Sequence, residues 1–205
     1  TKSITRGVLL MKLDHLSFPD IGWGYMPPTK QVFAAFEFVQ EHYKPKSVLE
    51  IGFHIGHSTT YQLDIYKDAR IVGVSPDNER IGKPGDCTDP QVRRDMVGIL
   101  NELYINRFTW VPGRTKDVKG KLVDEYVFDF ALVDGNHAEA AALYDMEVIY
   151  ELAIPNLLID NWDQAPVKSA VIKHGKYELV KEFDYDQTFK GKTQTNQMGL
   201  LTLKK

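Results

Sequence analysis

Side chains that could bind a cation follow two apolar runs in the second half of the chain. Asp134 comes directly after residues 128–133, and Asp160 and Asn161 come directly after residues 156–159. Two carboxylates and an amide oxygen form the all-oxygen ligand set that Mg²⁺ prefers and that Mn²⁺ or Ca²⁺ tolerates. The pattern predicts a divalent-metal site made of these three residues. The same residues could instead form an ordinary turn and a helix cap.

His137 lies three residues after Asp134 and is the candidate general base. An imidazole near its usual pKa can take a proton from a hydroxyl group at neutral pH. The alternative is that His137 caps the helix that follows, or hydrogen-bonds to a carboxylate.

The elements that must position these residues are short apolar runs alternating with helical patterns. Helical spacing of apolar residues follows Asp89 and Pro90, and a second apolar stripe occupies residues 142–153. Strand followed by helix, repeated, predicts a parallel sheet covered on both faces. The five predicted strands are 47–51, 70–74, 108–111, 128–133 and 156–159.

The two ends of the chain depart from this alternation. A helix is predicted over 30–43, within an N-terminal extension (residues 1–45) that precedes the main domain (residues 46–205). Residues 177–183 and 198–203 are predicted to be antiparallel strands joined by a polar loop over 184–197. The fold class is therefore α/β: a doubly wound, mostly parallel sheet that ends in a C-terminal antiparallel hairpin.

The turn after the first strand is a candidate ligand site, because ligands of open α/β sheets bind beyond the carboxyl ends of the strands. Gly52 and Gly56 permit a tight turn there, and the helix that begins near Ser58 presents N–H groups to an anionic group. Glu50, at the strand end, suits a ligand that carries an ammonium or hydroxyl group.

This segment, LEIGFHIGHST, resembles motif I (acidic-x-Gly-x-x-x-Gly) of the class I S-adenosylmethionine (SAM)-dependent methyltransferases, most closely the catechol and caffeoyl-CoA O-methyltransferases. The resemblance extends from about Lys46 to the end of the chain and implies a seven-stranded sheet. It implies that the cofactor is SAM, with Glu50 near the methionine amino group. The residues implied around that part of the cofactor are Glu50, Gly52, Phe53, His54, Gly56 and Ser58.

The end of the second strand departs from that family. Where the family usually has an acidic residue for the ribose hydroxyls, this chain has Ser75, followed by Pro76 and Asp77. Either Asp77 reaches back to the ribose, or the ribose is held less tightly, or the three residues form only a turn. After the third strand, Gly113, Arg114 and Thr115 resemble the adenine-side turn of the same family.

The metal residues resemble the same family. Asp134, Asp160 and Asn161 match the metal triad of the catechol-type enzymes, in which Asp134 would also adjoin the cofactor. Those enzymes have a base Lys where this chain has His137, whereas some metal-dependent macrolide-sugar O-methyltransferases have His there. The resemblance implies metal-assisted O-methyl transfer to a sugar, catechol or polyol. The alternatives are a non-catalytic or diverged SAM- or nucleotide-binding protein, or another chemistry on this scaffold.

The acceptor side is less defined. Candidate acceptor-binding residues are Trp23, Tyr25, Met26, Trp162, Tyr185 and Phe189, each of which could equally belong to the core.

Composition limits the other function classes. The chain has 205 residues, of which 43% are hydrophobic and 26% charged, with a net charge of −3, as expected for a globular domain. This near-neutral charge does not indicate the basic surface that binds nucleic acid or an anionic membrane. No apolar run is long enough to span a bilayer. A single cysteine, Cys87, fits a cytoplasmic protein. The expected partner is a small hydroxylated molecule, and homo-oligomerisation stays open.

Overall fold

The structure is a computed structural model that describes residues 26–77, 90–189 and 191–205. Trp23, Tyr25 and Cys87 lie outside the described residues, as does most of the predicted N-terminal extension. The described part of the chain contains no helix long and apolar enough to cross a membrane.

The described chain alternates helices and strands. The helices are α1 (Lys30–His42), α2 (His57–Ile65), α3 (Pro90–Leu103), α4 (Thr115–Glu125), α5 (Glu139–Glu151) and α6 (Ala165–His174). The strands are β1 (Ser47–Ile51), β2 (Arg70–Ser75), β3 (Phe108–Pro112), β4 (Phe130–Val133), β5 (Asn156–Ile159), β6 (Tyr177–Phe189) and β7 (Lys192–Leu203).

The seven strands form one sheet in the order β3-β2-β1-β4-β5-β7-β6. The first five strands are parallel, and β7 pairs antiparallel with both β5 and β6. The predicted fold class is confirmed. Successive strands are added to one side of β1 up to β3, and then to the other side from β4 onward. The switch point of the strand order therefore lies between β1 and β4, and ligands of doubly wound sheets bind at such a point.

Both faces of the sheet are covered, because successive strand residues point to opposite sides. Val48 packs in one core with α1 and α2, whereas its neighbour Leu49 packs in the other core with α4, α5 and α6. Phe36 and Val39 of α1 are fully buried in the first core, so this helix contributes to the main hydrophobic core.

The predicted polar loop over 184–197 is wrong, because nearly all of it continues the hairpin. Strands β6 and β7 stay paired from Tyr177 and Leu203 out to Phe189 and Lys192. The alternation along the strands explains the difference: Tyr185 and Asn196 lie opposite each other and are buried, while their neighbours Asp184 and Gln197 are exposed and half-buried, respectively. Only β7 residues Gly199 to Thr202 pair with β5, so the outer part of the hairpin projects past the carboxyl end of β5.

Candidate active site

A cleft of about 750 Å³ lies beyond the carboxyl ends of β1, β2, β3 and β4. This volume is in the range of cofactor sites. Of the predicted site residues, Gly52, His54, Ser75, Gly113, Arg114, Thr115, Asp134 and His137 line it. Glu50, Phe53, Gly56, Ser58 and Asp77 are not in its wall, so their predicted contact with a cofactor has no direct support from the geometry.

Gly52 joins the ends of β1 and β4. Its backbone has φ +102°, and a Cβ atom there would lie 1.8 Å from the carbonyl oxygen of Asp134. The Asp134 N–H in turn donates to the carbonyl of Ile51 at 2.8 Å. Only glycine allows this approach, which sets Asp134 beside the turn after β1.

Glu50 is fully buried beneath that turn. The hydroxyl groups of Ser58 and Thr59, at the start of α2, donate hydrogen bonds to its two carboxylate oxygens. Burial raises the pKa of Glu50 to about 7, and the hydroxyl hydrogen bonds partly oppose this. In this structure Glu50 therefore ties the end of β1 to the first turn of α2.

The remaining turn residues divide between core and cleft. Phe53 is buried and stacks on Phe108, with ring centroids 5.1 Å apart. A Cβ at Gly56, where φ is +84°, would lie 2.8 Å from the Phe53 ring, so this glycine serves internal packing. His54 lines the cleft, and its carbonyl accepts a hydrogen bond from Arg93 Nε at 3.0 Å.

The position expected to bind ribose contains no carboxylate. Ser75 is buried in the cleft wall, and its hydroxyl accepts a hydrogen bond from the indole N–H of Trp110 at 3.2 Å. Asp77 does not reach back: its carboxylate pairs with Arg94 at 2.9 Å, where both side chains are exposed. Arg93, which sequence reasoning missed, lines the cleft beside Ser75 and is 5% exposed.

The β3 side of the cleft contains a second residue that sequence reasoning missed. Asp145, on α5, is buried in the cleft wall and accepts a hydrogen bond from the Thr115 hydroxyl. Burial raises its pKa to about 6. The sequence feature that could have identified Asp145 is its position directly before Met146, where an acidic residue interrupts the apolar stripe of α5.

Three side chains converge at the ends of β4 and β5. One ligand-capable atom from each of Asp134, His137 and Asp160 lies within 4.8 Å of the others. His137 Nε2 is 3.6 Å from an Asp134 carboxylate oxygen, and the Tyr185 hydroxyl donates to Asp160 at 2.8 Å. The predicted convergence of the two acidic strand ends is therefore present.

The electrostatics of this cluster favour a cation. Burial raises the pKa of Asp134 to about 8, and the nearby charge of Glu50 adds to this. Burial, followed by repulsion from Asp134, holds the pKa of Asp160 well above its usual range. A divalent cation would compensate both effects, because it favours the ionised carboxylates.

The imidazole of His137 has a nitrogen atom that a ligand could bind. Its Nε2 atom is enclosed and has no hydrogen-bond partner among the described residues, and burial lowers the pKa of the ring. An enclosed polar atom without a partner is costly unless a ligand or water satisfies it. The two carboxylates of the cluster suit Mg²⁺ or Mn²⁺, and the imidazole beside them can bind the cation, a water molecule or an acceptor hydroxyl group.

Asn161, the third predicted ligand, follows Asp160 in the left-handed backbone conformation, with φ +52°. Its N–H donates to the Asp160 carboxylate, and its carbonyl accepts from the Gln164 N–H at 2.9 Å. The residue is half-buried. Its side chain stays a predicted ligand.

The acceptor-side aromatic residues that the structure describes belong mainly to the core. Trp162 is 6% exposed and packs over Gly199, where a Cβ would lie 2.8 Å from the indole ring. Met26 and Tyr185 are also buried. Tyr185 nevertheless reaches the cluster of Asp134, His137 and Asp160 through its hydroxyl group.

Comparison with known families agrees with the fold. Residues 49–160, more than half of the chain, match the family described as a methyltransferase domain. The chain belongs to this family. The matched segment begins in β1 and ends on Asp160, so it includes both sides of the cleft. No curated protein matches the methyltransferase chain in sequence.

Solved structures with the same fold include O-methyltransferases. One is the Bacillus cereus O-methyltransferase in complex with SAH: 14% identity, TM-score 0.67, with 98% of this chain and 93% of that chain covered. Another is TomG from Streptomyces achromogenes, involved in tomaymycin synthesis, in complex with SAM: 13% identity, TM-score 0.63, coverage 99% and 91%. A third, from Staphylococcus aureus, bears the name caffeoyl-CoA O-methyltransferase: 12% identity, TM-score 0.64, coverage 98% and 93%. At these identities the likeness establishes the class I methyltransferase fold.

Proposed function

We propose that this protein is a SAM-dependent O-methyltransferase that uses a divalent cation to methylate a hydroxyl group of a small sugar, catechol or polyol. The observation that carries the proposal is the cluster of Asp134, His137 and Asp160, within 4.8 Å of one another. The cluster adjoins a cleft of cofactor size, because Asp134 and His137 line that cleft.

SAM fits the cleft with one departure. The turn after β1 exposes Gly52 and His54 to the cleft, and Gly113 to Thr115 border it at the other end, as the family resemblance implies. The departure is Ser75, which can offer a hydroxyl group but no carboxylate to the ribose.

A divalent cation held by Asp134 and Asp160 would lower the pKa of an acceptor hydroxyl group bound beside it. Asn161 is proposed as a further oxygen ligand. Tyr185 donates a hydrogen bond to Asp160 and so would hold this carboxylate in one orientation for the cation.

His137 is proposed as the general base. Its ring borders the cleft and is 33% exposed, so an acceptor hydroxyl group can approach it. As His137 takes the proton, the acceptor oxygen attacks the sulfonium methyl group in line. A carbon–oxygen bond forms, the carbon–sulfur bond breaks and S-adenosylhomocysteine leaves. The protein contributes chiefly by positioning and electrostatics.

A second candidate is a diverged SAM- or nucleotide-binding protein without transferase activity. The observation that favours it is Ser75, which is bonded to Trp110 at the position where a ribose-binding acid is expected. A small-molecule partner and a cytoplasmic location are part of the main proposal.

The test is transfer of a labelled methyl group from SAM to a panel of a catechol, a hexose and inositol, with Mg²⁺ or with EDTA. We expect transfer that requires the cation and falls at least 100-fold in Asp160→Asn. Asp124→Asn is the control, because it makes the same change at an exposed position on α4. Equal transfer by Asp160→Asn would refute the metal mechanism, and cofactor binding without any transfer would favour the second candidate.

A further inference from the structure

Asp145 is a buried carboxylate in the cleft that the proposed chemistry does not use. It borders the cleft from α5, three residues after Ala142, with 7% of its surface exposed. A Cβ built on Gly135 would lie 3.1 Å from its Oδ2 atom, so the absence of a side chain at residue 135 makes room for this carboxylate.

The Thr115 hydroxyl group donates a hydrogen bond to Asp145. A carboxylate has room for about four donors. Because Asp145 borders the cleft, a ligand there can supply a further N–H or O–H group to this carboxylate.

The geometry of the reaction indicates which part of the ligand reaches Asp145. The reactive methyl group must face the acceptor beside Asp134 and His137, at the β4 side. The cleft continues from there to Ser75 and to residues 113–116 beyond β2 and β3. The substituent of the sulfur that extends farthest from the methyl group is the adenosyl group, whose purine would reach this far end.

The surroundings of Asp145 suit a purine. Ala140 and Ala141 leave a shallow apolar surface in the cleft wall, and Tyr144 adds an aromatic ring that is 39% exposed. A flat base can lie on such a surface while its edge meets one charged acceptor.

We propose that Asp145 recognises the purine of the adenosyl cofactor by accepting a hydrogen bond from its 6-amino group. Thr115 positions the carboxylate. A 6-oxo purine would instead set its carbonyl oxygen against the carboxylate, so the site selects adenosyl over inosyl ligands. This inference rests on the proposed use of SAM.

The experiment is calorimetric titration of the full chain with S-adenosyl-L-homocysteine and S-inosyl-L-homocysteine. For the wild type we expect about 10- to 100-fold tighter binding of the adenosyl compound, as for a hydrogen bond to a charged group. Asp145→Asn should reduce this preference to about twofold or reverse it, since an amide NH₂ can face a 6-oxo group. Asp124→Asn should keep the wild-type preference.

Two further measurements separate the alternatives. If Asp145→Asn does not fold, Asp145→Ser makes the same test, because it removes the charge and shortens the side chain. 5′-Methylthioadenosine lacks the amino-acid part of the cofactor, and Asp145→Asn should weaken its binding as well.

Three results would overturn the inference: no wild-type preference for the adenosyl compound, an unchanged preference in both Asp145 variants, or weakened binding of S-adenosyl-L-homocysteine with unaltered binding of 5′-methylthioadenosine. The last result would assign Asp145 to the ammonium group. Failure of the proposed function has a different signature, because the wild type would then bind neither S-adenosyl-L-homocysteine nor 5′-methylthioadenosine.

Discussion

His137 has two chemically distinct roles open to it, and its position decides how they can be separated. One of its ring nitrogens is near enough to Asp134 and Asp160 to share a cation with them, yet the ring also borders the cleft where an acceptor would bind. A base and a ligand respond differently to substitution. Removal of a base slows the reaction, whereas removal of a ligand weakens cation binding.

We expect His137→Gln to lower kcat by about 10²- to 10⁴-fold, the usual contribution of a general base. Mn²⁺ affinity, measured by titration, should change by less than about fivefold. His42→Gln, on the exposed side of α1, is the control. A parallel loss of Mn²⁺ affinity would show that His137 is a ligand.

Among the individual residues, the acidic side chains at the strand ends could be predicted from the sequence, but several of the side chains around them could not. Asp134 and Asp160 could be predicted, because a polar residue directly after a buried strand must lie at the sheet edge. Asp145 and Arg93 could not, because a charged residue within a helix gives no sign that it faces a cleft rather than solvent. The involvement of Tyr185 depends on a hairpin whose length the sequence did not reveal.

Among the elements, the turn after β1 determines the geometry of the site. Gly52 allows the ends of β1 and β4 to touch, and Glu50 fastens the same turn to α2. The sequence predicted a turn at Gly52 and Gly56 for approach to a ligand. The structure gives both glycines an internal reason, which periodicity and spacing cannot reveal.

Gly52→Ala should destabilise the protein by about 3 kcal/mol or more, because the added Cβ meets a backbone oxygen and φ is unfavourable for alanine. Gly120→Ala, within α4 and with no atom within 4 Å of the added Cβ, should stabilise it by about 0.5–1 kcal/mol. Urea denaturation measures both free energies of unfolding. Similar effects of the two substitutions would contradict the proposed contact between β1 and β4.

The hairpin is the second element that matters, since Tyr185 of β6 reaches Asp160. Tyr185→Phe removes the hydroxyl group that orients this carboxylate, so Mn²⁺ affinity should fall about tenfold. Tyr177→Phe is the matched control, because that hydroxyl donates to the Ile154 carbonyl, in the other core. Unchanged affinity in Tyr185→Phe would remove the hairpin from the site.

For the whole molecule, the fold class was predictable because strand, helix and hairpin patterns repeat along the chain. The boundary of the extension at residue 45 stays a prediction, although α1 is built into the core. The polar outer half of the hairpin was missed because most of its residues are polar and the pair that is buried there, Tyr185 and Asn196, does not form an apolar run.

Stability should depend on pH through the buried acids. The pKa of Asp134 rises from 3.8 to about 8 on folding, so the folded state holds a proton that the unfolded state has released. Without a cation, stability should therefore fall as pH rises between these values. A cation competes with that proton, so the increase in Tm caused by Mg²⁺ should grow from pH 5 to pH 8. A Mg²⁺ effect independent of pH would contradict this linkage.

The central claim is that Asp134 and Asp160 hold one divalent cation next to the cofactor cleft. Mn²⁺ titration monitored by electron paramagnetic resonance, on the protein saturated with S-adenosyl-L-homocysteine, measures this directly. We predict one bound Mn²⁺ per chain in the wild type and in Asp124→Asn, with the site lost in Asp134→Asn and in Asp160→Asn. Equal Mn²⁺ binding by all four proteins, or no binding by the wild type, would contradict it.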